Sequence, residues 1–115
     1  MIGPPKIRRV FLAAGATDMR KAINGLSVLV DQNLDLNPLS GDLFVFCNRR
    51  RDIIKILYWD ENGFALWQKR LEEHKFTWPK DSLDAVKITT RELEWLLAGL
   101  DYRLAHQRLS YTHIS

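Results

Sequence analysis

Three consecutive arginines, Arg49, Arg50 and Arg51, are the residues whose type and spacing most directly suggest chemistry. A guanidinium is a planar, permanently charged fork that matches a phosphate. Three in a row on a protruding turn can meet successive phosphates or enter a narrow A·T-rich minor groove. The competing account is a solvated turn partly neutralised by Asp42 and Asp52. Arg20 with Lys21 forms a second cationic pair and Lys55 adds another charge, so these six residues are the candidate nucleic-acid contacts. Catalytic alternatives have less behind them. Asp60 with Glu73-His74-Lys75 has the loose outline of a metal-dependent nuclease site, two acids for a divalent cation and a lysine near the attacked phosphate. An acid near a lysine says little in a chain that is 27% charged. His74, His106 and His113 are isolated, no Cys-x-x-Cys pair exists and no glycine-rich phosphate loop matches, so no metal or cofactor is expected. Cys47 stands alone in an apolar run, which suits a small core residue better than a nucleophile.

These residues must be positioned by a β-meander over residues 42–79. Residues 43–47 and 53–59 are apolar, β-prone runs separated by the polar arginine turn, which makes them a hairpin. Asn62-Gly63 then accepts the positive φ angles of a tight turn and leads into a third strand over residues 64–69. Residues 75–78 read as a fourth strand, stopped by Pro79. Side chains alternate across a strand, so Lys55 and Trp59 share a face of the second strand, as do Trp67 and Lys69 of the third. One register joins these four into a mixed aromatic-basic surface on which bases can stack. In the other reading Trp59, Trp67 and Phe46 line a protein interface.

Outside the meander, residues 6–12 form a strand and residues 13–16 a turn. Thr17-Asp18 offers an N-cap, and Met19, Ile23, Leu26 and Val30 make the buried stripe of a first helix. Arg20 and Lys21 then fall in its first turn, where the helix dipole disfavours cations unless an anion faces them. Residues 86–88 are a short extended piece. Thr89 with Glu92 makes a capping box for a second helix, with Leu93, Leu96, Leu97 and Leu100 as its stripe and Gly99 at its C-terminus. The expected fold is therefore α+β: an antiparallel β-meander sheet of about five strands with two helices packed mainly on one face. It occupies residues 1–101 as one domain, and residues 102–115 are a polar tail on which no structure is expected.

Composition agrees with a single soluble domain, since 46% of the 115 residues are hydrophobic. No apolar run approaches the ~20 residues of a membrane helix, no signal-peptide pattern opens the chain, and one cysteine permits no internal disulfide. A cytoplasmic protein with no membrane contact is expected. The net charge of +3 is unevenly spread. Residues 1–59 carry nine Lys or Arg against five acids, whereas residues 60–101 carry six against nine. The basic half favours an anionic partner such as nucleic acid.

Several motifs bear on identity. Thr17-Asp18-Met19-Arg20-Lys21, Gly25-Leu26, Ser40-Gly41-Asp42-Leu43-Phe44-Val45-Phe46 and Lys55-Ile56-Leu57-Tyr58-Trp59-Asp60 are followed by Gly63-Phe64, Leu66-Trp67, Lys69-Arg70-Leu71, Phe76-Thr77-Trp78-Pro79 and Leu96-Leu97-Ala98-Gly99-Leu100-Asp101. This string resembles the second-open-reading-frame accessory protein, often labelled TnpB, of the insertion-sequence-sixty-six family, over roughly residues 7–101. The resemblance implies a role in transposition beside a larger co-encoded transposase and a second accessory protein, with no catalytic residues in this chain. The RNA-guided nuclease also called TnpB belongs to different elements and is far longer. DNA at the transposon ends is the expected partner. The alternative is a module that docks on the transposase without touching DNA.

Overall fold

The computed structural model describes residues 8–80 and 84–107. Its five strands are β1 (Val10–Ala13), β2 (Leu43–Cys47), β3 (Ile53–Asp60), β4 (Gly63–Arg70) and β5 (Ala85–Ile88), and they lie in the order β4-β3-β2-β1-β5. The hairpins β2–β3 and β3–β4 form as expected, and β5 runs antiparallel to β1. The sheet is nonetheless mixed, because β1 pairs parallel with β2, Val10 facing Leu43 and Leu12 facing Val45. The first helix, α1 (Ile23–Gln32), lies between these two strands in the chain, and such a crossover returns the backbone to the end from which it started. Residues 75–78 join no ladder. They run as an irregular strap whose Phe76 and Trp78 are buried.

The two helices lie on opposite faces of the sheet, not mainly on one. Leu26 and Val30 of α1 pack with Ala13, Phe44, Phe46 and Leu57. Leu93 and Leu96 of the second helix, α2 (Thr90–Leu97), pack with Leu43, Val45, Cys47, Ile54, Ile56 and Tyr58. Successive residues of β2 thus enter different cores, and all of Leu43–Cys47 is buried. A central strand covered on both sides has no polar alternation, which is why residues 43–47 are apolar throughout.

Helix α2 starts as its capping box demands. The Thr89 hydroxyl accepts from the Glu92 amide at 3.0 Å, and the Glu92 carboxylate accepts from the Thr89 amide at 2.7 Å. At its other end Gly99 takes φ +82°, and the amides of Gly99 and Leu100 bond the carbonyls of Leu96 and Trp95. Helix α1 differs from expectation. It begins at Ile23 behind Ala22, with no side-chain cap; Asp18 instead closes a separate turn, its Oδ1 accepting from the Arg20 amide at 2.9 Å and its carbonyl from the Lys21 amide at 3.1 Å. Arg20 and Lys21 therefore precede the helix. Ordered packing also continues past residue 101. Tyr102–Leu104 is a 3-10 turn, Tyr102 and Ala105 are buried, and His106 Nε2 lies 2.8 Å from Thr89 Oγ1.

Candidate nucleic-acid interface

Strand directions put the C-terminal ends of β1, β2 and β4 and the start of β3 at one end of the sheet. The arginine turn projects from this end. Asn48 builds it: its side-chain oxygen accepts from the Asp52 and Ile53 amides at 3.0 Å, and its amide nitrogen donates to Asp52 Oδ1 at 2.6 Å. The Arg51 amide closes the turn on Asn48 O (3.1 Å), leaving Arg51 at φ +63°. An asparagine that opens a polar turn was the available signal for this organiser. The strap then braces the turn, since Phe76 N donates to Arg51 O and Lys75 Nζ to Arg50 O, both at 2.7 Å.

This arrangement settles where nearby charge goes. Asp52 is engaged by Asn48, and Asp42 by Arg9 at the opposite end of the sheet. Arg49 and Arg50 are exposed, Arg51 is half-buried, and none of the three has an ion-pair partner among the described residues. A cleft of ≈ 180 Å³ separates Arg49, Arg51 and Asn48 from Lys80, with Trp78 in its wall. Trp78 holds the loop after β1 in place by donating from Nε1 to Gly15 O (2.9 Å) and Ala13 O (3.2 Å). Lys75, Lys80, Arg20 and Lys21 are all exposed around this end, as is the acid Glu73.

Lys55 is no surface contact. It is 9% exposed, and its ammonium donates to Met19 O (2.8 Å) and Lys21 O (2.9 Å). It therefore ties β3 to the loop carrying Arg20 and Lys21. Arg20 itself forks onto Asp18, with Nη2–Oδ2 at 2.7 Å, and that bond draws the Asp18 carboxyl down to about 2.

The family comparison agrees over the same span. A model of the IS66 Orf2-like proteins, the TnpB family of that insertion sequence, matches residues 8–107. The chain belongs to the IS66 Orf2-like family. Two Sinorhizobium fredii (strain NBRC 101917 / NGR234) proteins named as uncharacterized are similar to this Orf2-like chain. One, y4hO, is 41% identical over 95 residues, 83% of each chain. The other, y4jC, is 39% identical over 102 residues, 89% of this chain and 87% of its own. No solved structure matches. The insertion-sequence accessory identity that the motifs implied is thus established.

The expected aromatic-basic surface of the Orf2-like protein does not assemble. The β3–β4 hairpin turns at Glu61-Asn62, with Asp60 opposite Gly63, instead of at Asn62-Gly63. That loop fixes parity: Lys55 faces Gln68 and Trp59 faces Phe64, while Trp67 faces Ile56 and Lys69 faces Ile54. Lys55 and Trp59 thus share the α1 face, and Trp67 and Lys69 the α2 face. Trp59 meets Phe64 edge-on at 5.1 Å, Trp67 packs against the α2-side core, and Lys69 Nζ donates to Leu97 O at 2.8 Å. Phe46 is fully buried and can line no interface.

The nuclease outline also comes apart. Asp60 and the segment Glu73-His74-Lys75 lie beyond opposite ends of the eight-residue strand β4, roughly 25 Å in length at ~3.3 Å per residue. Among the described residues no group of three His, Cys, Asp or Glu could hold a metal, and no helix is long and apolar enough to cross a membrane. Burial pushes the Cys47 thiol up to about 12, so it stays protonated and unreactive near neutral pH. His113 lies outside the described residues.

Proposed function

We propose that this accessory protein assists transposition in the cytoplasm by gripping transposon-end DNA with the cationic end of its sheet. What supports the reading is the unpaired state of Arg49 and Arg50 on a braced turn, with Arg51, Lys75, Lys80, Arg20 and Lys21 around them. A turn whose backbone is already fixed loses little entropy when a phosphate docks, so its charges act at full effect. The contacts are to the DNA backbone, and affinity falls steeply with salt. Strand transfer is left to the co-encoded transposase.

Fluorescence anisotropy with a transposon-end duplex across a salt series tests this. The double variant Arg49→Ala/Arg50→Ala is expected to lower the salt slope by roughly 1.8, about 0.9 for each phosphate no longer neutralised. Arg51 is left in place because its positive φ and its backbone bonds hold the turn. An unchanged affinity and slope in the double variant remove the arginine turn from the account.

A second reading has its own support at the other end of the sheet. There Trp59 and the exposed Leu39 line an open cleft of ≈ 250 Å³ with Arg8 and Asp42, a surface suited to a protein partner such as the transposase or the second accessory protein. A pull-down with transposase using Trp59→Ala, run beside the anisotropy measurement, separates the two. Loss of capture with DNA binding absent in the parent protein favours docking alone.

A further inference from the structure

Among the described residues no strand pairs with the outer edge of β4. Leu71 N donates to Asp52 O, which continues the ladder in which odd-numbered residues of this strand bond β3. The even-numbered residues Phe64, Leu66, Gln68 and Arg70 therefore point their N–H and C=O groups away from the sheet. Among the described residues no backbone or side-chain acceptor meets those amides. The strand is eight residues long with no proline, and Phe64, Leu66, Ala65 and Trp67 are only half-buried on its two faces. The opposite edge, β5, has four residues, one of them the exposed Lys87. Proteins usually blunt a sheet edge by such shortness or charge, and β4 is blunted at neither its centre nor its start.

We infer that the β4 edge is an interface for a second copy of this chain, paired antiparallel about a two-fold axis near Leu66 and Trp67. Charge selects this occupant. Arg70, whose only partner among the described residues is the exposed Glu72, closes one end of β4, and Asp60 flanks its other end, while the Lys69 ammonium is turned to Leu97 O. A two-fold antiparallel neighbour lays each cationic end beside the partner's acidic turn, whereas a parallel copy sets like against like. With the axis at Leu66, the same operation sets Leu66 beside its equivalent and Phe64 beside the second copy's Gln68 on the α1 face, and Ala65 beside the second copy's Trp67 on the α2 face. Two five-stranded sheets become one of ten. Antiparallel pairing also points the two arginine turns in opposite directions. If those turns hold DNA as proposed above, the dimer bridges two duplexes; only this consequence rests on that reading.

Light scattering on a dilution series should give twice 13.4 kDa at high concentration and the single mass on dilution. Hydrogen exchange at high concentration should protect the Leu66 and Gln68 amides, which open on dilution, while Trp67 and Lys69 stay protected throughout. Gln68→Pro removes one outward amide at a position where an edge strand tolerates proline, and should yield the single mass at every concentration with DNA binding by one copy retained. The exchange pattern needs no variant, so it decides even if the proline disturbs the strand. A monomer at all concentrations, a dimer that Gln68→Pro leaves intact, or protection gained only when transposase is added would each overturn the proposal. A dimer that ignores DNA would leave it standing and sink the DNA reading alone.

Discussion

The two ends of the sheet treat their arginines differently. Where β1 begins, Arg9 forks onto Asp42 at 2.8 and 3.2 Å, and Arg8 donates to Gly41 O at 2.9 Å with its guanidinium 5.0 Å from the Tyr58 ring centre. At the other end Arg49 and Arg50 project into solvent with no acid in contact among the described residues. Counting charges along the chain ranks both groups alike. What separates them is whether a carboxylate or carbonyl already occupies the fork, and that depends on tertiary neighbours. Arg8 and Arg9, engaged at the first end, hold the fold together, while Arg49 and Arg50 at the second are free to hold something else.

The comparison would break first at Lys55, which sits near the free end yet belongs with the engaged cations. Lys55→Met removes two charge-assisted bonds from a buried lysine and takes their donor from the Met19 and Lys21 carbonyls, so about 3 kcal/mol of stability should be lost. Urea unfolding measures it. A variant that unfolds at the parent's midpoint but binds DNA poorly would make Lys55 a contact after all.

A smaller contrast sharpens the two ends directly. Arg9→Ala leaves the carboxylate of Asp42, 8% exposed, with only the Ser40 hydroxyl and the residue-9 amide, and should cost roughly 1–2 kcal/mol. Arg49→Ala should fall within about 0.5 kcal/mol of the parent. Parallel urea titrations of the two variants decide it, and equal losses would mean that the arginine turn is also structural.

Much of this was legible in the sequence where local chemistry dominates. The Thr89–Glu92 box, the Leu93–Leu96 stripe, Gly99 and both hairpins follow from neighbours within a few residues. So did the exposure of Arg49 and Arg50, because an asparagine-led polar turn between apolar runs has to be outside. The parallel pairing of β1 with β2 was hidden, since it joins residues more than thirty positions apart and leaves no local mark. The start of α1 was misplaced because Asp18 caps a separate short turn over Arg20 and Lys21, and the helix itself begins only at Ile23. The face shared by Lys55, Trp59, Trp67 and Lys69 depended on parity. A two-residue loop, at Glu61-Asn62 or at Asn62-Gly63 alike, sets odd residues of β3 against even residues of β4, so Lys55 and Trp59 fall on one face and Trp67 and Lys69 on the other.

The smallest expected effect concerns Asp18, an engaged acid at the free end. Its hydrogen bonds from Arg20 draw its carboxyl from 3.8 to about 2, so the native state holds its proton less tightly than the unfolded chain. Its contribution to stability is then fully present above the ordinary carboxylate range and is lost as pH falls through about 2. A carbon-detected NMR titration should place its midpoint there. Both partners are exposed, so the energy involved is small and screened by salt. Asp18→Asn removes an acid from the cationic end and releases Arg20, which should raise DNA affinity modestly at low salt and steepen the salt slope by at most about one phosphate's worth. If the substitution weakens binding instead, DNA reads Arg20 in the pose that Asp18 gives it, and an engaged cation can serve as a contact too.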